Sequence, residues 1–243
     1  MVAPEFILKN LKKEFRMDGK TITAVNSINM KLAAGKITAL VGDSGCGKTT
    51  LLRMLAGLLK PDSGEIRIHP DNTGASVVFQ DARLLPWRTV EENLLLSLRR
   101  TQNPPLSSGE KDRRVNDALT LVHLQQWKGS YPRQLSGGMA QRVSLARALC
   151  QKKGFLLMDE PFSALDALTR ETLQYELKGI QKKMGNTILF ITHDIREAVF
   201  LADHVWVMKS GSLNGELKTD EGNPEQQCRE IHTMLGLDVK TPA

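Results

Sequence analysis

Gly42-Asp43-Ser44-Gly45-Cys46-Gly47-Lys48-Thr49-Thr50 follows the spacing G-x-x-x-x-G-K-[ST]. In that pattern the glycines let backbone N–H groups turn toward phosphate oxygens with no Cβ in the way. Lys48 would set its ammonium on the β- and γ-phosphates of a nucleotide, and the Thr49 hydroxyl would coordinate Mg²⁺. Gly42, Ser44, Gly45, Cys46, Gly47, Lys48, Thr49 and Thr50 are therefore the candidate phosphate cradle. A second signal is Asp159-Glu160, two carboxylates that end the apolar run Leu156-Leu157-Met158. Ligands bind at the C-terminal edge of parallel sheets. Asp159 there would hold Mg²⁺, directly or through water, and Glu160 would face the γ-phosphate and orient or deprotonate the attacking water. A third is Ser136-Gly137-Gly138, ahead of the helical pattern from Ala140 to Cys150. A hydroxyl and free amides at a helix N-terminus make a second anion site. A spare γ-phosphate site suggests a nucleotide shared between two subunits; the simpler alternative is an ordinary N-cap.

These residues need elements to position them. Lys36-Ile37-Thr38-Ala39-Leu40-Val41 reads as a buried strand before the glycine loop, and Leu51 to Ala56 as a helix after it that stops at Gly57. The first third of the chain is otherwise strand-rich, with short apolar or alternating runs at Phe6–Leu8, Ile28–Leu32, Glu65–Ile68 and Ser76–Gln80. Pro61-Asp62-Ser63-Gly64 is a turn. From about residue 85 to 150 the pattern becomes helical. Thr101-Gln102-Asn103-Pro104-Pro105 reads as a loop, and Ser107 with Glu110 as a capping box opening a helix whose buried face is Val115, Ala118, Leu119 and Val122. Strands then alternate with helices: Phe155–Met158, a helix with the stripe Leu173, Leu177, Ile180 and Met184, Thr187–Ile191, a short helix from Arg196 to Ala202, and Val205–Met208. This alternation predicts an α/β fold with a mainly parallel sheet covered on both faces. The tail from Gly211 is polar, with a short helix that would bury Cys228, Ile231 and Leu235.

A chain of 243 residues can bury one large core, and a net charge of +6 is only mildly basic. No aromatic-interleaved basic stripe suggests nucleic acid as a partner. The three cysteines, Cys46, Cys150 and Cys228, are an odd and scattered set that suits a reducing compartment. Cys46 opens a helix, where a lowered thiol pKa and reagent sensitivity are expected. No charged-then-apolar leader is read at the N-terminus, and no apolar run approaches bilayer length.

Leu135-Ser136-Gly137-Gly138-Met139, continuing as Ala140-Gln141-Arg142, resembles the signature of the ABC-transporter ATPases. Further family elements follow in order. Phe15 resembles the aromatic that stacks on adenine, and Gln80 the Q-loop residue that senses Mg²⁺ and the membrane subunit. Ser163-Ala164-Leu165-Asp166 is similar to the D-loop, and Ile191-Thr192-His193-Asp194 to the switch-histidine motif. The resemblance extends over most of the chain. It implies a P-loop NTPase core with a β sub-domain at 1–80 and 155–210, a helical and signature sub-domain at 81–150, and a tail at 211–243. It also implies ATP and Mg²⁺ as ligands. Two identical chains would close head to tail, with Ser136, Gly137, Gly138 and Asp166 of one copy facing nucleotide held by the other. Thr49, Gln80 and Asp159 would serve the metal, and Glu160 and His193 the catalysis. An integral membrane permease would be the partner at the cytoplasmic face of the membrane, with an extracytoplasmic substrate-binding protein in the same system.

The segment Gln80-Asp81-Ala82-Arg83-Leu84-Leu85-Pro86-Trp87-Arg88 is similar to the nitrate, sulfonate and taurine importer branch, as is Pro161 to Arg170. Leu84, Leu85 and Trp87 suit a groove for a partner's coupling helix; helical sub-domain core is an equal alternative for Leu84 and Leu85. DNA-repair ATPases of this type would carry long coiled-coil insertions, and translation factors usually two cassettes. Neither feature is present, whereas export or another imported substrate stays open.

Overall fold

The computed structural model describes residues 4–17, 19–70, 74–98, 105–219 and 222–237. The chain opens with two long strands, β1 (Glu5–Met17) and β2 (Lys20–Leu32). It continues through β3 (Ile37–Val41), α1 (Lys48–Leu55), β4 (Ser63–His69) and β5 (Ala75–Val78). Three helices follow, α2 (Val90–Ser97), α3 (Ser108–Leu121) and α4 (Gly137–Leu149). The rest alternates: β6 (Phe155–Asp159), α5 (Ala167–Met184), β7 (Thr187–Thr192), α6 (Ile195–Leu201), β8 (His204–Lys209), β9 (Ser212–Lys218) and α7 (Pro224–Leu235).

The continuous apolar runs form the middle of a six-stranded sheet in the order β5-β6-β7-β3-β8-β9. All its pairings are parallel except the last, β8 with β9. Side chains alternate across each strand, so a strand covered on both faces must be apolar at every position. Ile188 and Phe190 of β7 enter one core with the helices, while Leu189 and Ile191 enter the other with α1 and the small sheet. β6 splits the same way, with Leu156 and Met158 on one side and Phe155 and Leu157 on the other.

The small sheet is antiparallel, in the order β2-β1-β4. Phe6 of β1 packs on Phe155 of β6 with ring centroids 3.8 Å apart, tying the small sheet to the large one. The two architectures confirm the expected α/β fold with a mainly parallel sheet and an antiparallel β portion.

Several local expectations change. β1 and β2 are much longer than their apolar runs, because antiparallel pairing carries the strands out to Met17 and Lys20, where the side chains are exposed. Gln80 lies past the end of β5, not in it. The box at Ser107 forms by half: Ser107 accepts from the Glu110 amide, but the Glu110 carboxylate turns to Arg113 and Arg114. The reciprocal box is at Thr89 and Glu92, which open α2. The tail contains a strand, β9, whose alternation was too polar to stand out. α7 buries Ile231 and Leu235 as expected, and Cys228 is half-buried. The expected loop at 101–105 lies, apart from Pro105, outside the described residues.

Phe155 is fully buried between the two sheets. Phe155→Ala should therefore lower stability by about 3–5 kcal/mol in urea unfolding, with no change in the slope of the transition.

Candidate functional site

Parallel pairing brings the chemistry-bearing residues to one edge of the sheet. Val41, the last residue of β3, lies opposite Thr192 of β7, and Ile191 lies opposite Asp159 of β6. The chain leaving each strand therefore starts from the same edge. Gly42 follows β3, Glu160 follows β6, His193 follows β7, and Gln80 follows β5 by one residue.

The glycine loop is shaped by two kinds of constraint. Gly45 and Gly47 have φ of 80° and 108°, a region that side-chain-bearing residues rarely adopt. A Cβ at Gly47 would also run into the carbonyl oxygen of Ala24, and one at Gly42 into that of Met208, whereas Gly45 has open space beside it. The loop is thus packed down on β2 and β8 by two glycines and kept open at the third. Gly211 closes the same contact, donating to the Cys46 carbonyl and accepting from the Asn26 amide.

Lys48 is buried, and its Nζ donates to the carbonyls of Gly42 at 2.6 Å and Asp43 at 2.8 Å. It forms no ion pair among the described residues. A buried ammonium held by two carbonyls and the Cys46 sulfur of its own loop, with no carboxylate beside it, is poised for an anion, which is what phosphate oxygens supply. Thr49 Oγ1 donates to Asp159 Oδ1 at 3.1 Å. Burial raises the Asp159 pKa, against the Thr49 hydrogen bond, so this carboxyl would gain from a cation. A hydroxyl and a carboxylate with room for waters and phosphate oxygens form a donor set that fits Mg²⁺. Among the described residues there is no cluster of three or more His, Cys, Asp or Glu that could hold a metal.

Glu160 adopts φ of 45°, a left-handed conformation that costs about 1–3 kcal/mol outside glycine. Neighbours hold it there: its N–H donates to Ile191 O at 3.0 Å, and its carbonyl accepts from the Ser163 hydroxyl at 3.0 Å. This sharp turn swings the carboxylate away from Asp159 and toward β7, where Oε2 lies 3.2 Å from His193 Nδ1. His193 is exposed, so its other ring nitrogen can reach a ligand at the mouth of the site.

The remaining expected residues sit apart from this group. Ser136 accepts from the Met139 amide as the N-cap of α4. Asp166 does the same for Thr169 at the start of α5, and that backbone hydrogen bond lowers its pKa. A Cβ at Gly137 would meet nothing, while one at Gly138 would run into Thr169 Cγ2. Phe15 is about one-third exposed, with Lys13 Nζ 5.7 Å from its ring centroid. Gln80 is exposed. Leu84 packs against the helical core, Leu85 is half-buried, and Trp87 is 71% exposed.

One expectation is reversed. The Cys46 thiol is buried, and desolvation raises its pKa despite the nearby Lys48 ammonium. Helix position alone suggested an activated thiol, but close packing against Gly42 decides otherwise.

Positioning roles that the sequence did not assign also emerge, for Gln141 of the signature segment and for Arg147 and Glu197. Gln141 and Arg147 of α4 reach across to the segment after β5. Gln141 donates to Phe79 O at 3.1 Å, and Arg147 to Arg83 O at 2.7 Å and Ala82 O at 2.9 Å. Buried Glu197 in α6 accepts from the Thr192 hydroxyl at 3.2 Å. Only its acidic character inside an apolar helix could have flagged it.

A strand, a glycine loop and a helix, with a carboxylate-ended strand beside them, define a P-loop nucleotide-binding site. The family model for ABC transporters matches residues 25–163, from β2 through the glycine loop and Ser136 to Ser163. The chain belongs to the ABC transporter family, as an ATP-binding subunit. It is 39% identical to the aliphatic sulfonates import ATP-binding protein SsuB of Corynebacterium glutamicum, over 99% of this chain and 97% of that one. It is 41% identical to the spermidine/putrescine import ATP-binding protein PotA of Thermobifida fusca, over 86% of this chain but only 56% of that one. Among solved structures it resembles the dimeric, post-hydrolysis ATP-binding cassette MJ0796 bound to ADP and Pi, with a TM-score of 0.79 and 31% identity, covering 89% of this chain and all of that one.

Gly47→Ala should abolish binding of a fluorescent ATP analogue while the fold survives by circular dichroism. Gly45→Ala, strained but unobstructed, should weaken binding by roughly tenfold, the equivalent of 1–2 kcal/mol of backbone strain. Cys46 should react with iodoacetamide far more slowly in the native chain than in urea.

Proposed function

We propose that the chain is the ATP-hydrolysing subunit of an importer, acting at the cytoplasmic membrane face as a homodimer on a separate permease. The buried, carbonyl-held Lys48 ammonium carries this reading, because it is matched to phosphate and to little else. In the proposed cycle the β- and γ-phosphates displace the Gly42 and Asp43 carbonyls from Lys48. Loop amides from Ser44 to Thr50 take the remaining oxygens. Thr49 and Asp159, with Gln80 nearby on the same sheet edge, would hold Mg²⁺, which when bound neutralises charge developing on the phosphates.

Glu160 and His193 then have separable parts. With no ligand they satisfy each other across 3.2 Å. A γ-phosphate at the mouth of the site would draw the imidazole away and free the carboxylate to orient or deprotonate water. Phe15 would stack on adenine. Ser136, Gly137, Gly138 and Asp166 would complete the other copy's site. The dimeric state of the ADP-bound cassette it resembles supports that arrangement. ATP then acts as a ligand with greater affinity for the closed dimer, and the closing motion drives the permease.

Among described residues no helix is long and apolar enough to cross a membrane, so a separate permease would provide the path. Exposed Trp87, beside Leu84 and Leu85, is the proposed contact with it. A small anion such as a sulfonate, nitrate or taurine is the proposed cargo, supported by the near full-length match to a sulfonate importer subunit. The chain spans about half the length of the polyamine relatives it matches. An extracytoplasmic binding protein would deliver the cargo.

Glu160→Gln should bind ATP normally but hydrolyse it about 10²–10⁴-fold more slowly; near wild-type turnover would sink the general-base role. Ser136→Arg should leave ATP binding to the monomer intact and abolish the ATP-dependent dimer in size-exclusion chromatography. Tagged Glu160→Gln, trapped with Mg-ATP in solubilised native membranes, should recover a multi-spanning permease; recovery with ribosomes or DNA would overturn the transport reading.

A further inference from the structure

Buried Glu197 stands just behind the imidazole that the functional reading assigns to the γ-phosphate. Its Oε2 accepts from Thr192 Oγ1 at 3.2 Å, and the same hydroxyl accepts from the Asp194 amide at 3.0 Å. Asp194 Oδ1 in turn accepts from the Glu197 amide at 3.2 Å and the Arg196 amide at 2.9 Å. His193 is the one residue between the two ends of this ring of hydrogen bonds. Resting on the reading of His193 as the γ-phosphate contact, we propose that Glu197 is a positioning residue, which fixes the peptide on both sides of His193 through the Thr192 hydroxyl.

The surroundings require Glu197 to work without a charge. It is 7% exposed, and its Oε1 has no hydrogen-bond partner among the described residues. The charged groups facing it are Asp194 on its own helix, Arg170 from α5 and Glu160 after β6. From α7 the Cys228 thiol faces Asp194 and Arg196 instead. Arg170 donates through Nη2 to Leu165 O at 3.1 Å and lies 3.9 Å from Asp194 Oδ2, while its buried Nε has no hydrogen-bond partner among the described residues. Two carboxylates and burial oppose a second buried negative charge, and Arg170 offsets them only in part. Burial, aided by Asp194 and Glu160 against the Thr192 hydrogen bond and Arg170, pushes the carboxyl up to about 8. At neutral pH the group is a neutral acid. Above that value it becomes an anion close to Glu160, and the water-filled relaxation needed to solvate it would loosen the His193 peptide.

Linkage gives an independent sign. The unfolded chain gives up this proton near 4.5 and the native chain near 8. Between those values the native state binds more protons, so stability falls as pH rises and levels off above the upper one. Glu197→Gln mimics the neutral form and removes that slope.

The test measures kcat, KM for ATP and melting temperature across neutral and alkaline pH for the full chain, Glu197→Gln, Glu197→Ala and His193→Ala. Glu197→Ala should lower kcat by about tenfold or more with little change in KM. Glu197→Gln should restore most of the neutral-pH rate, and keep it above the pH of about 8 at which the native chain declines. Its melting temperature should rise relative to the native chain as pH increases. A Gln variant with the same alkaline decline as the native chain, or as impaired as the Ala variant at neutral pH, overturns the proposal. If Glu197→Ala fails to fold, the Gln pH profile decides alone. His193→Ala at the native rate overturns the reading of the imidazole and this inference with it; an inactive His193→Ala beside a fully active Glu197→Ala overturns this inference only.

Discussion

Two-sided burial of β3, β6 and β7 is the constraint on which the rest depends. Each strand sends alternate side chains into two cores, so none can slip by one residue without exchanging the residues that face helices for those that face the small sheet. That fixed register aligns the strand ends. Val41 and Thr192 therefore finish in one row with Asp159 one position behind, opposite Ile191, and the loops that follow them leave from one edge. The site is assembled by the pairing of strands that are more than a hundred residues apart in sequence at their extremes.

Unfavourable local features are concentrated where the strands end. Glu160 holds a left-handed backbone, Lys48 is a buried cation, Asp159 is a desolvated carboxyl and Glu197 is a buried acid with an orphaned oxygen. Each is costly alone, and the rigid two-sided sheet supplies the stability that tolerates them. Lys48 and Asp159 are the two that a phosphate–metal ligand would relieve.

The signature helix α4 has a part beyond its N-terminus. Its half-buried Arg147 and buried Gln141 donate to the backbone carbonyls of Phe79, Ala82 and Arg83, which ties the segment bearing Gln80 to the helix that carries Ser136. Desolvation lowers the Arg147 pKa, the expected cost of placing a guanidinium against carbonyls away from water.

Local chemistry was legible in the sequence wherever it depended on consecutive residues. The glycine loop needs its glycines for positive φ, the core strands need apolar residues at every position, and Ser136 caps the helix it precedes. Period and spacing therefore gave the fold class and most of the elements. Strand β9 was missed because an edge strand has one solvated face and reads as polar. The lengths of β1 and β2 were missed because partner strands, rather than apolar content, extend them. Only the tertiary structure could set Glu160 against His193, bury Cys46 against Gly42, and place Glu197 behind the Thr192–His193 peptide. Those relations come from packing between distant segments, and desolvation by such neighbours, not residue type, decides which carboxyls and thiols keep their protons.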